Sequence, residues 1–212
     1  MRAGYTLPGV SDAPWNLTGR GVVAVYGGRE AGALMLVRYA QSGVGPYDEL
    51  LWVSLGGEPQ VTRIVVSTQQ SVVWGRRNWA IPKSRADFAW EGVPGREQVR
   101  VTQDGRLLAH LSVRAWGPPV PVTTAVVPAA WRTLTQPPLP EAEDRAALLT
   151  TVSASGRVRP ARLSVIGGDF HPALLERRPR LTAGVPGFRM VFPAARAACL
   201  TGRSGSCAPR GG

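Results

Sequence analysis

Short runs of valine, leucine and isoleucine, most of them alternating with polar residues, recur along this 212-residue chain. That period of two is the signature of strands with one face covered. Residues 21–26, 33–39, 49–55, 61–67, 99–102, 107–113, 120–127, 148–153, 157–166 and 188–192 all read as strands. The pair around Gln103-Asp104-Gly105 reads as a hairpin, because Asp-Gly suits the tight turns that match strand twist. Helix signals are few. Ser67-Thr68-Gln69-Gln70, before Ser71-Val72-Val73-Trp74, offers a capping-box start for a short helix that ends near Asn78, because Pro82 disfavours helix just before it. A second helix is expected over 141–149, after the proline-rich loop 136–140. The fold class is therefore mainly β: a curved antiparallel sheet or cone-like β-barrel enclosing a cavity, with a few short helices. Residues 1–200 are expected to form one domain, and 201–212 a flexible tail.

Composition narrows the partners. Hydrophobic residues make up 44%, as in a globular chain. No N-terminal apolar segment resembles a signal peptide, and no run approaches the roughly 18 apolar residues of a membrane helix. A cytoplasmic protein with no membrane partner is expected. The formal charge of +11 would suit a nucleic acid. The arginines are scattered, however, and the denser groups Arg157/Arg159/Arg162 and Arg177/Arg178/Arg180 lack interleaved aromatic residues, which disfavours that partner. A field that draws in small carboxylates fits as well. Cys199 and Cys207 need not pair in a chain of this size, and their spacing and lack of further ligands argue against a metal.

Lysine and arginine together number 25, and only one of them, Lys83, is a lysine. Codon bias explains such a count, so its setting carries the information. Lys83 follows Trp79-Ala80-Ile81-Pro82, and it lies downstream of Ser42-Gly43-Val44-Gly45-Pro46-Tyr47-Asp48-Glu49. A lysine amine loses its proton and attacks carbonyls, whereas arginine stays charged. Apolar walls from Trp74, Trp79 and Ile81, with positive charge from Arg76, Arg77 and Arg85, would favour the neutral amine.

These two segments, in this order and separation, resemble those of the acetoacetate decarboxylase family over about residues 14–87. There a Ser-Gly-x-Gly-x-Tyr-x-Glu segment precedes Gly-Arg-Glu and then Pro-Lys-Lys, whose first lysine forms a Schiff base. The resemblance implies Lys83 as nucleophile and Glu49 as proton carrier. It also implies Arg20, six residues after Pro14, as the group that holds a carboxylate. Arg76, Tyr47 and Trp79 are the remaining candidate substrate contacts. The implied activity is that of a carbon–carbon lyase, decarboxylase-like or aldolase/dehydratase-like, acting on a small β-keto acid or related carbonyl compound without a cofactor. Homo-oligomers are common in the family, and the resemblance extends that expectation here. Ser84 stands where the family has its second lysine, Leu34 falls on a second family glutamate, and the chain is shorter than the typical decarboxylase. The alternative is a non-catalytic β-barrel that binds a small carboxylate or apolar ligand.

Overall fold

The computed structural model describes residues 12–142 and 146–198; Cys199, Cys207 and the expected tail lie outside them. Fourteen strands and three α-helices follow in the order β1 (Trp15–Tyr26), β2 (Gly32–Gln41), β3 (Tyr47–Ser54), β4 (Gln60–Val66), α1 (Gln69–Trp79), β5 (Lys83–Arg85), β6 (Asp87–Val93), β7 (Arg96–Gln103), β8 (Arg106–Ala115), β9 (Val120–Thr123), α2 (Ala129–Arg132), β10 (Thr133–Gln136), β11 (Leu148–Thr151), β12 (Ser153–Gly167), α3 (Pro172–Glu176), β13 (Leu181–Phe192) and β14 (Arg196–Ala197). Eleven strands make one sheet in the order β5-β4-β3-β2-β1-β13-β12-β8-β7-β6, with β9 paired to β12; β10, β11 and β14 make a small second sheet. The helix expected over 141–149 is corrected at its end, where Leu148 and Leu149 belong to a strand, Leu148–Thr151, as the reading of 148–153 had it, held by β10 on one side and β14 on the other.

The two ends of the large sheet are successive pieces of chain. Strand β5 stops at Arg85 and β6 starts at Asp87, with Ala86 between them donating its N–H to the Val66 carbonyl. The Gln103 side chain, at the end of β7, donates to the Ser84 hydroxyl and the Arg85 carbonyl. The mainly β, curved-sheet expectation holds, and Lys83 lies at the seam where the sheet turns back on itself.

Hydrophobic clusters cover both faces of β1–β4. Alternate residues serve alternate faces. In β3, Leu50 and Trp52 enter one cluster with Val22, Leu36, Val101 and Leu111, while Tyr47, Leu51 and Val53 enter another with Trp15, Tyr39, Val66 and Trp79. This explains why β2 and β3 read as near-continuous apolar runs rather than strict alternation. At the far hairpin, Asp104 and Gly105 both take positive φ (50° and 78°), as the Asp-Gly signal requires. No helix among the described residues is long and apolar enough to cross a membrane.

Helix α3 depends on a histidine. His171 stacks on Trp52 with ring centroids 3.9 Å apart, and its Nδ1 accepts the Ala173 N–H as an N-cap. Burial lowers its pKa below the ordinary value, with Arg63 acting in the same direction and Glu30 against. A lowered folded-state pKa means stability that is present above the ordinary histidine value and lost as pH falls through the lowered one. We expect the urea midpoint to drop between about pH 7 and pH 5. His171→Asn, which caps without titrating, should flatten that part of the profile; an unchanged slope in the variant would show that His171 does not carry it.

Candidate active site

Helix α1 begins at Thr68, whose hydroxyl accepts the Ser71 N–H, and carries Arg76 and Arg77 in its last turn, where cations complement the helix dipole. It ends with Ala80 in the left-handed region (φ 52°). The Ala80 N–H donates to the Arg76 carbonyl and the Ile81 N–H to the Gly75 carbonyl, a Schellman-type reversal. That reversal and Pro82 send the chain back beside the helix as β5, which pairs parallel to β4 with Lys83 opposite Ile64. The Lys83 stem then lies across Gly75, where an added Cβ would come within 2.6 Å of Lys83 Cδ and 2.7 Å of Cε. Gly75 is the opening through which the lysine passes.

Lys83 is 4% exposed and Glu49 5%. Lys83 Nζ donates to Glu49 Oε2 at 2.8 Å, to Ser71 Oγ at 3.1 Å and to Tyr47 Oη at 3.4 Å. An ammonium has three N–H groups, and these three acceptors take all of them. Tyr39 Oη donates to Glu49 Oε1 at 3.1 Å. The Tyr39 and Tyr47 rings pack 4.6 Å apart, and Nζ lies 5.0 Å from the Tyr47 ring centre. Burial, followed by the Glu49 charge, pushes both tyrosine pKa values well above the ordinary range, so both stay phenols. The result is a water-poor ion pair inside a ring of hydroxyl groups. A proton can pass from Nζ to Oε2 along one hydrogen bond, leaving an amine beside a carboxylic acid.

Lys83, Glu49 and Tyr47 are thus brought together. The remaining sequence candidates stand elsewhere. Arg20 points from the opposite face of β1, pairs with Glu97 at 2.6 Å and lies 5.7 Å from the Trp90 ring centre. Arg76 donates to the Lys83 backbone carbonyl and to the Glu141 carboxylate, bracing the loop rather than reaching Nζ. Trp79 donates to the Pro193 carbonyl and packs edge-on against Trp15 and Phe192. Ser84 accepts from Gln103, and Leu34 is buried in the cluster on the opposite face from Lys83. Two residues that contact the pair, Ser71 and Tyr39, were not among the sequence candidates. Hairpin parity could have found Tyr39: it is paired with Tyr47, so it shares the face of Glu49. A groove on the opposite face of the sheet is lined by Tyr39 but by neither Lys83 nor Glu49.

The fold is that of the acetoacetate decarboxylase-like enzymes. The enduracididine biosynthesis enzyme MppR superposes with a TM-score of 0.60 at 16% identity, over 92% of this chain and 96% of its own. MppR complexed with pyruvate gives 0.59 at 15% identity, over 92% and 97%. The acetoacetate decarboxylase of Legionella pneumophila gives 0.60 at 12% identity, over 94% and 92%. An acetoacetate decarboxylase-like enzyme from Sphingomonas wittichii RW1 gives 0.58 at 11%, over 92% and 98%. No family model and no curated protein matches the sequence.

Removing one partner of a buried ion pair leaves an uncompensated charge and costs about 3–5 kcal/mol. Glu49→Ala should lose that much in urea denaturation, and Glu49→Leu combined with Lys83→Met should recover most of it. Gly75→Ala should also destabilise: overpacking of about 1–3 kcal/mol exceeds the roughly 1 kcal/mol gained in helix propensity, and displacing Lys83 from Glu49 adds part of the cost of the broken pair. Urea midpoints for the variants, with the reactivity assay below for Gly75→Ala, test both expectations.

Proposed function

We propose that the chain is a Schiff-base lyase acting on a small keto acid, with Lys83 as nucleophile and Glu49 as its proton partner. The observation that carries this reading is the buried 2.8 Å contact between Nζ and a carboxylate in an acetoacetate decarboxylase-like fold. Glu49 takes a proton from Nζ, and the amine adds to the substrate carbonyl carbon. The carbinolamine hydroxyl leaves as water with that proton, giving a protonated imine. With a β-keto acid, the electrons of the breaking C–CO₂ bond move into the imine and form an enamine. Protonation at carbon and hydrolysis then release the ketone and restore Lys83. With an α-keto acid such as pyruvate, which one structural neighbour binds, the same imine leads by loss of a proton to an enamine that adds to a second carbonyl. Ser71 and Tyr47, both hydrogen-bonded to Nζ, are the groups that a substrate carbonyl would displace on entry.

A second reading has its own support. All three N–H groups of Lys83 are already used and the side chain is almost wholly enclosed, as in a structural ion pair of a binding protein. Borohydride trapping separates the two. Incubation with acetoacetate or pyruvate and then borohydride should add the reduced adduct mass at Lys83, read by peptide mass spectrometry. Lys83→Arg should abolish it and Glu49→Gln should slow it by about 10²-fold or more. Absence of an adduct with every carbonyl acid tried, in protein shown to be folded, would leave the structural reading.

A further inference from the structure

On the opposite face of the sheet from Lys83, an open groove of about 960 Å³ runs across β2, β1, β13, β12 and β9. Four arginines line it, Arg20, Arg38, Arg157 and Arg189, together with the hydroxyl residues Thr18, Tyr39 and Ser155, and no carboxylate does. The register accounts for their convergence. Arg20 stands opposite Arg38, Arg157 opposite Gly187, and Arg189 is flanked by Thr18 and Ser155. Side chains of adjacent strands on one face lie about 5 Å apart, so these guanidinium groups share a single surface.

Two of the four are already engaged. Arg20 holds Glu97, Arg38 holds Asp48, and both lie over Trp90. Among the described residues, Arg157 and Arg189 have no acidic partner. Between them and Arg20 lies Gly187. A Cβ there would meet nothing within 4 Å, and its φ is not in the left-handed region. Packing and backbone geometry therefore do not demand this glycine; its effect is to leave a notch in the groove floor, flanked by arginines. Arginine forks match phosphate and carboxylate oxygens in pairs, and a concavity of this size suits a small molecule.

We propose that this groove is a binding site for a small organic polyanion bearing two or more phosphate or carboxylate groups, with Arg157 and Arg189 as its main contacts and Gly187 as its floor. Its arginines lie on the opposite face from Lys83; the groove reaches the Lys83 site only at Tyr39, which lines it and donates to Glu49. Isothermal titration of the full chain with pyrophosphate, and separately with citrate, tests it. Saturable binding of either probe is expected, and which one binds names the anion. Arg157→Ala or Arg189→Ala should weaken it by about tenfold or more. Gly187→Val, which fills the notch without removing charge, should weaken it comparably. The proposal is overturned if neither probe binds saturably, or if binding is indifferent to Gly187→Val and to both arginine substitutions. It is equally overturned if only DNA or RNA binds, with a steep salt dependence, since that would make the arginines a nucleic-acid surface.

Discussion

An ammonium and a carboxylate held together away from water impose conditions on every element around them. Desolvating both charges is expensive, and the attraction between them compensates only when the remaining hydrogen-bonding capacity is also met. Here the remainder is met from four elements: Tyr39 from β2, Tyr47 from β3 beside Glu49, Ser71 from the first turn of α1, and Lys83 itself from β5. The only parallel pairing in the large sheet, β4 with β5, exists because α1 crosses between them. That crossover is what returns the chain to Glu49. The left-handed Ala80 makes the turn tight enough, and Gly75 leaves the helix surface bare where the lysine stem crosses it.

Much of this was legible from local pattern. Period-two runs marked most of the strands, Asp104-Gly105 marked its hairpin, and the Ser67-Thr68-Gln69-Gln70 segment and Pro82 bracketed α1. Lys83 and Glu49 could be paired on motif order. What escaped depends on facts that are not local. Strand β6 alternates Phe88 and Trp90 with exposed residues and is a strand because β7 lies beside it. The helix expected over 141–149 overlaps Leu148 and Leu149, where the strand reading of 148–153 prevails because β10 and β14 pair with that backbone. Arg20 shows the sharpest limit. In a strand, alternate residues take opposite faces, and Arg20 shares the parity of Val22 and Ala24, which pack in the cluster on the far side from Lys83, so matching its place in the motif did not bring it to the site. Ser71 lies in no motif, and only the fold of α1 onto β5 brings it to Nζ.

The lone lysine can now be judged on geometry instead of frequency. Among the described residues no arginine is buried, and Lys83 is the one base that is. Its cage offers three oxygen acceptors to a group with three N–H bonds. A guanidinium presents five donors in a rigid plane and would leave some of them buried without partners. The cage alone therefore selects lysine, whether or not the amine ever reacts. The distinction between a structural pair and a catalytic one rests on whether the proton shared by Nζ and Oε2 ever resides on Glu49. A structural pair gains by keeping both charges fixed, while imine formation requires that the charges be discharged each time a carbonyl arrives. Among the described residues the groups bonded to the Lys83 amine are one carboxylate and two neutral hydroxyls, so if the amine reacts, Glu49 is the base placed to take its proton. Any reactivity of Lys83 should therefore depend on that single carboxylate more steeply than on any nearby cation.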